Sequence, residues 1–278
     1  MKRKRRRKGC SRFFAWLFIL ALAVGYLHWG NNSIITEEVD ISISSLSGAL
    51  EGFRIVQVSD LHGKTFGKDS FGLAETVKNA KPDIIAITGD VVDASCGLDG
   101  IEEQIASLCA IAPVYYVMGN HEWACGWERE LADVMDRCGA VVIHNTYCEI
   151  EKDGASFILG GLYDPNGPAD APDAASFMEK IKQVHPDKPV VLLAHRNVPE
   201  LYAGLNADLV LCGHGHGGAL RLPLVGGVIG ADRSLFPEYD YGSYALDGGI
   251  MYVSRGLGTN GYEIRIFNRP HLPVLVLK

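Results

Sequence analysis

No C-x-x-C spacing occurs in the chain, although it holds seven cysteines, and this excludes the thiolate zinc sites built on that spacing. No internal repeat and no low-complexity linker divides the body, so nothing in the sequence splits it into several units. The first 12 residues contain no acid, and residues 13 to 29 contain no Asp, Glu, Lys or Arg. Eight of the 26 basic residues lie in that first stretch, which leaves 18 basic against 33 acidic residues in the body, a balance of −15. A body of that charge repels a polyanion, so no nucleic-acid partner is expected.

The basic cluster is followed by "FFAWLFILALAVGYLHW", 17 residues long. At about 1.5 Å per residue this run is just long enough to cross a hydrocarbon core. Lys and Arg are retained on the cytoplasmic side, so the reading is a basic cytoplasmic tail over 1–12, a transmembrane signal-anchor over 13–29 and an extracytoplasmic domain over 30–278. Ala21-Leu22-Ala23 resembles a cleavage site, but the apolar run continues past it, which favours an uncleaved anchor over a cleaved signal peptide. Cys10 falls at the cytoplasmic membrane edge, where palmitoylation competes with an idle thiol. Cys96, Cys109, Cys125, Cys138, Cys148 and Cys212 fall outside, where disulfides form, and no pair is singled out.

Beyond the anchor, "EEVDISIS" alternates as a first strand. Short apolar runs then lead into polar clusters: "FRIVQVS" into "DLH", "DIIAIT" into "GD", "VYYVM" into "GNHE", "PVVLLA" into a lone His, and "ADLVLC" into "GHGHGG". Helical stretches are expected near 69–81, 99–110, 127–138 and 173–184, so the class is α/β. Residues 141–161 predict antiparallel additions to a sheet, and "GIMYVS", "YEIRIF" and "PVLVL" predict strands near the end.

The strand ends deliver Asp60, His62, Asp90, Asn120, His121, His195, His214 and His216. Ligands bind at the carboxyl ends of strands in open α/β sheets, so residues far apart in sequence converge there. Carboxylate, carboxamide and imidazole are ligands of a catalytic divalent ion such as Mn, Fe or Zn. In Asp60-Leu61-His62 and His214-Gly215-His216, extended backbone would send both side chains to one face. Each piece alone is as consistent with an ordinary turn or a satisfied core histidine; the ordered set points to a metal site.

Those residues, in that order, resemble the calcineurin-like metallophosphoesterase superfamily. "VSDLH", "GLYDP", "GHGHGG", "RLP" and "YVSRGLGT" further resemble its membrane-associated branch, which includes Gram-positive exported phosphoesterases and UDP-2,3-diacylglucosamine pyrophosphatases. The resemblance implies two facing mixed β-sheets flanked by helices and two divalent metal ions. It places Asp60, His62 and His216 on the first, Asn120, His195 and His214 on the second, Asp90 between them, and His121 as the acid beside them. Glu122, Ala219 and His271 depart from the branch pattern and bear on substrate preference.

The expected function is membrane-anchored hydrolysis of a phosphodiester or diphosphate bond, in a phosphorylated small molecule or a lipid or envelope precursor. A nucleotide or protein phosphatase and an inactive surface binding module are the competing readings. Arg196 and Arg255 are candidates for phosphate contact, with surface arginine as the alternative. Asp93 either orients a ligand imidazole or is a solvated turn acid. "SLFPEYDYGSY", 234 to 244, either meets an acyl chain or membrane interface or supplies ordinary sheet-edge aromatics. His28, His144, His185 and His271 match no motif.

Overall fold

Apolar runs of four or five residues build the centre of the molecule. "IIAIT", "VVLL" and "LVLC" are buried at every position, as strands covered on both faces must be. The structure is a computed structural model that describes residues 2–66, 72–94, 96–98, 100–218, 220–230, 233–261 and 264–278, with side chains described from residue 12 onward. Tyr262, Glu263, Ala219, residues 69–71, Asp99 and the Cys10 side chain, on which sequence expectations fall, lie outside the described part.

One six-stranded sheet has the order β1 (Ile35–Ile41), β14 (His271–Leu277), β2 (Arg54–Val58), β3 (Ile84–Thr88), β4 (Val114–Val117) and β5 (Val141–Val142). Only the β14–β2 pair in it is antiparallel. The other has the order β12 (Gly242–Leu246), β13 (Gly249–Val253), β9 (Leu209–Cys212), β8 (Val190–Leu193), β7 (Ala155–Gly161) and β6 (Tyr147–Lys152). Its two outer pairs are antiparallel and its inner pairs parallel. A hairpin of β10 (Arg221–Leu222) and β11 (Gly226–Gly227) stands apart.

Three apolar clusters set four layers. Ile55, Ile84, Ala86 and Val117 of the first sheet face Phe157, Leu159, Val191 and Leu211 of the second. The first sheet's outer face is covered by α2 (Leu73–Asn79), α3 (Ile101–Cys109) and α5 (Glu128–Cys138), through Val77, Ile105 and Leu131. The second sheet's outer face takes Phe177, Met178 and Ile181 of α6 (Ala174–Val184). The fold is therefore α/β, with two facing mixed sheets between helices, as the sequence resemblance implies.

Two local expectations are corrected. Residues 141–161 are not all antiparallel: β5 joins the first sheet in parallel and β7 pairs in parallel with β8, leaving β6–β7 as the hairpin. "YEIRIF" forms no strand in its described part; Ile266 makes an isolated bridge to Leu220, and Phe267 turns into the left-handed region. The N-terminal helix α1 runs unbroken from Lys2 to Asn32 and contains the apolar run 13–29. Its segment Arg12–Asn32, 21 residues of mean hydropathy 1.7, is long and apolar enough to cross a membrane. Phe13, Trp16, Phe18 and Leu22 are all exposed on it, so it packs into no protein core. The six described cysteines beyond it form no disulfide.

Candidate metal centre

Asp60 and His62 follow β2, Asp90 follows β3, His195 follows β8, and His214 and His216 follow β9. Asn120, the first residue of α4 (Asn120–Cys125), follows β4. Both sheets thus contribute their carboxyl ends to one place. The backbone does not do so by extended alternation, as the x-in-between spacing suggested. The strands end at Val58 and Cys212, and Asp60, His62, Asp90, His214 and His216 have φ of 52, 47, 52, 65 and 51°. Each such residue costs about 1–2 kcal/mol, so five together mark a site that surrounding bonds must hold.

Those bonds are present. After the strands separate, the two loops remain zipped by Asp60 N–H to Gly89 O (3.0 Å), His62 N–H to Asp90 O (2.9 Å) and Gly63 N–H to Val91 O (2.8 Å). Asp60 Oδ1 accepts the His214 N–H at 2.9 Å, and Asp90 Oδ1 accepts the His121 N–H at 2.9 Å. Two glycines permit the approach. A Cβ at Gly213 would lie 1.9 Å from Ser59 Oγ, and one at Gly119 would lie 2.2 Å from Asp90 Oδ1. "GHGHGG" is glycine-rich because its first position leaves no room for a side chain beside Asp60.

Asp60, His62, Asp90 and His216 form one cluster; Asp90, His195 and His214 form a second, with ligand atoms within 4.8 Å of one another. In the first, His62 Nε2 is 3.0 Å from His216 Nε2 and 3.7 Å from Asp90 Oδ2, and His216 Nε2 is 3.5 Å from Asp60 Oδ1. In the second, His195 Nε2 is 3.2 Å from both Asp90 Oδ2 and His214 Nδ1, and 3.1 Å from Asn120 Oδ1. Ligands about 2.1 Å from one ion stand about 3.0 Å apart at right angles and about 3.4 Å apart at the tetrahedral angle. The observed spacings match that edge length. Asp60 Oδ2, buried and without a hydrogen bond, adds an orphaned acceptor that a cation would satisfy.

Electrostatics within the site pull in opposite directions. Burial disfavours a charged His195, yet the Asp90 and Asp60 carboxylates raise its pKa to about 10. Burial, helped by the charges of His195 and Arg196, brings His214 down to about 3, and burial holds His216 well below the usual imidazole range. Burial raises Asp60, whereas Asp90 overcomes burial through His195 and stays low. Neutral His214 and His216 beside an ionised Asp90 are already in the protonation states that metal ligation needs, whereas a cation would have to displace the proton that Asp90 and Asp60 hold on His195.

The remaining sequence candidates divide by position. The His121 ring lies edge-on to His62, centroids 4.8 Å apart, with Nε2 3.4 Å from Asn260 Nδ2; burial lowers its pKa. Arg196 is clasped by Asp164, Nε to Oδ2 at 2.7 Å and Nη2 to Oδ1 at 3.3 Å, and its Nη1 is 3.2 Å from His214 Nε2. Arg255 lies against Gly217, its guanidinium 4.7 Å from the Tyr241 ring centroid. Asp93 is buried, with Oδ2 3.7 Å from His62 Nδ1. His271 is buried in β14 against Glu37 of β1 at 3.1 Å, so a carboxylate from another strand stands beside it.

Glu122 has a role that motif reasoning missed. It is fully buried, and its two oxygens accept four backbone N–H groups, from Asp90 (3.0 Å), Val91 (2.6 Å), Val92 (3.2 Å) and Gly119 (2.7 Å). It clasps the loop that carries Asp90 to the loop that carries Asn120, and makes none of these contacts toward the mouth of the site. Asp164, the clasp on Arg196, carried no motif signal either. Of the aromatic stretch 234–244, Tyr239 and Tyr244 pack together, Tyr241 bonds Glu37, and only Phe236 and the neighbouring Leu235 are exposed large apolar residues.

The chain belongs to the calcineurin-like phosphoesterase family, whose profile matches residues 53–218. An uncharacterized metallophosphoesterase of Aquifex aeolicus is 30% identical over 94% of this chain and 98% of its own length. The phosphodiesterase YaeI of Escherichia coli is 29% identical over 81% of this chain and 82% of its own. Among solved structures, the NAD nucleotidase of Haemophilus influenzae superposes with a TM-score of 0.52 at 17% identity, over 74% of this chain and 45% of that one, a likeness of fold alone. Membership together with the cluster of Asp and His ligands makes this protein a metal-binding hydrolase of phosphoric esters.

Proposed function

We propose that this protein is a membrane-anchored phosphohydrolase with two divalent ions, Mn, Fe or Zn, that cleaves a phosphodiester or diphosphate bond in a lipid or envelope precursor. The observation that carries the two-ion reading is that Asp90 belongs to both ligand clusters. Asp60, His62 and His216 would hold one ion and Asn120, His195 and His214 the other, with Asp90 shared by both. When bound, such ions supply an acidified water and neutralise charge on phosphoryl oxygens.

The chain's own residues do the rest. The hydrogen bond from His195 to Thr88 O, 2.8 Å from Nδ1, fixes that ring's tautomer and leaves Nε2 for the ion. His121, its ring edge-on to that of His62, is placed to protonate the departing oxygen or to stabilise its charge. Arg196, immobilised by Asp164 next to His214, is placed to meet a phosphate oxygen. Beside His195 and Arg196 opens a cavity of about 350 Å³ lined partly by Leu162, Tyr163, Pro168 and Tyr202, which suits an apolar leaving group.

The diester preference is supported by the phosphodiesterase name of the Escherichia coli relative. The anchor is supported by the helical segment Arg12–Asn32, and its orientation, N-terminus inside and residues 30–278 outside, by the basic residues ahead of it. The test is hydrolysis of bis-p-nitrophenyl phosphate against p-nitrophenyl phosphate by the detergent-purified full chain, stripped of metal and refilled with Mn, Zn or Fe. Activity restored by metal and reduced by at least about a hundredfold in Asp90→Asn is expected, because the shared carboxylate serves both ions. Equal activity of Asp90→Asn, or activity that ignores chelation, refutes the two-ion reading.

A further inference from the structure

Three exposed apolar side chains of the catalytic body sit on backbone that L-residues avoid. Leu224 is 108% exposed at φ 68°, Phe236 60% at φ 54° and Phe267 57% at φ 54°. Left-handed backbone costs each about 1–2 kcal/mol, and glycine or asparagine would relieve both the strain and the apolar exposure in water. Strain combined with exposure at three apolar side chains is retained only where a contact offsets both costs.

The three tips belong to one lobe. Leu224 tips the β10–β11 hairpin, whose ends are tied by Arg221 N–H to Ile266 O (3.0 Å) and Val228 N–H to Leu220 O (2.8 Å). Phe236 N–H donates to Val228 O at 3.0 Å, and Ile229 bridges Leu235. Phe267 follows Ile266 directly, and its ring is 5.7 Å from that of Tyr26 in α1. Val225, Leu235 and Ile264 add further exposed apolar surface.

The contact with Tyr26 sets the depth. Tyr26 lies six residues before the end of the segment Arg12–Asn32, about 9 Å back along the helix axis. A residue of the catalytic body therefore touches the helix inside its apolar span. One turn nearer the helix end, the Arg269 guanidinium lies 4.6 Å from the centre of the Trp29 ring, an aromatic and a cation where an interfacial belt is expected.

We propose that this lobe is a membrane-contact surface, inserting Leu224, Phe236 and Phe267 into the bilayer beside the anchor and seating the metal centre at the level of phospholipid headgroups. The proposal rests on the anchor reading. The lobe is fastened to the metal loops: Arg265 and Asn268, on either side of Phe267, both donate to His216 O, at 3.4 and 2.7 Å. Asn31 at the helix end exchanges two hydrogen bonds with the Arg265 backbone, at 2.8 and 3.0 Å, and accepts one from Lys64, two residues past His62. Helix end, lobe and metal loops thus form one connected unit. Because the body carries −15, apolar insertion rather than attraction to anionic headgroups drives the contact.

The test places photoreactive p-benzoylphenylalanine at Leu224, Phe236 or Phe267 in the full chain, reconstituted in phosphatidylcholine vesicles with and without phosphatidylglycerol. Phe18 in the anchor serves as the positive control and Val184, exposed on α6, as the negative. Lipid adducts at the three tips about tenfold above Val184, insensitive to salt and to phosphatidylglycerol, are expected of apolar insertion. Adducts at Phe18 with silence at the tips overturn the docking and leave the anchor standing; silence at Phe18 as well overturns both. Tip adducts to protein instead of lipid also overturn it, and would identify a protein partner for the lobe.

Discussion

Glu122→Ala removes the acceptor for four buried backbone N–H groups while leaving every proposed metal ligand in place. An unsatisfied buried donor costs about 1–3 kcal/mol. If loop relaxation and entering water rescue half of the four, the loss is about 4 kcal/mol, made of two such donors. For a domain of this size that lowers the melting midpoint by roughly 8–16 °C. The Asp90 loop then loosens, so metal affinity falls in the same variant. Glu122→Asp keeps the carboxyl group but withdraws it by about 1.5 Å, one C–C bond, and should fall between wild type and alanine. The assay is a thermal melt by circular dichroism paired with Mn titration. A midpoint shift under about 3 °C with unchanged metal affinity refutes the clasp, because it would mean the four bonds contribute less than about 1 kcal/mol together. A change in diester-to-monoester preference without loss of stability would return Glu122 to the substrate role that its departure from the family pattern suggested.

If His62 is a metal ligand as proposed, Asp93→Ala should weaken metal binding there by roughly 10–100-fold, the usual effect of removing an outer carboxylate that faces a ligand ring. Isothermal titration with Mn measures it, and unchanged affinity makes Asp93 a turn acid only. His144 is brought down to about 4 by burial and accepts the Met118 N–H at Nε2, 2.9 Å, which requires the neutral ring. Its folded pKa lies below the unfolded value of about 6.5, so its contribution is intact above about pH 6.5 and is lost as pH falls toward about 4, by up to about 3 kcal/mol. His144→Gln keeps an acceptor without that titration. Its urea midpoint should vary less than wild type across that pH window, and an identical slope rejects the assignment. Gly119→Ala should abolish activity and strain the fold, since its Cβ would lie 2.2 Å from Asp90 Oδ1; a variant that melts and turns over like wild type would contradict the close approach.

Much of the architecture was legible in the chain because local chemistry encodes it. Apolar runs too short for helices became strands buried on both faces, the helical stretches near 101–109, 128–138 and 174–184 appeared within a few residues of expectation, and the candidate ligands lie just past the ends of five strands. Residue type and order sufficed for these, since burial and ligation depend on side-chain chemistry. They did not suffice for "YEIRIF", whose alternation suits a strand but whose Ile266 finds only one bridging partner.

Composition determined that the body is acidic, that one N-terminal segment is apolar enough to span a membrane, and that carboxylates and imidazoles gather at strand ends. Tertiary structure decided the rest. The left-handed backbone at Asp60, His62, Asp90, His214 and His216 is held by loop-to-loop bonds, because the enrichment of Asp and His in that region is too small to offset its cost five times in one site. Glu122 became a clasp only when two loops from neighbouring strands placed four N–H groups around it. Leu224, Phe236 and Phe267 became one surface because bridges between distant segments hold them together and against α1. Most of these contacts join residues about thirty to over two hundred positions apart, and hydrophobic pattern and motif spacing carry no record of such pairings.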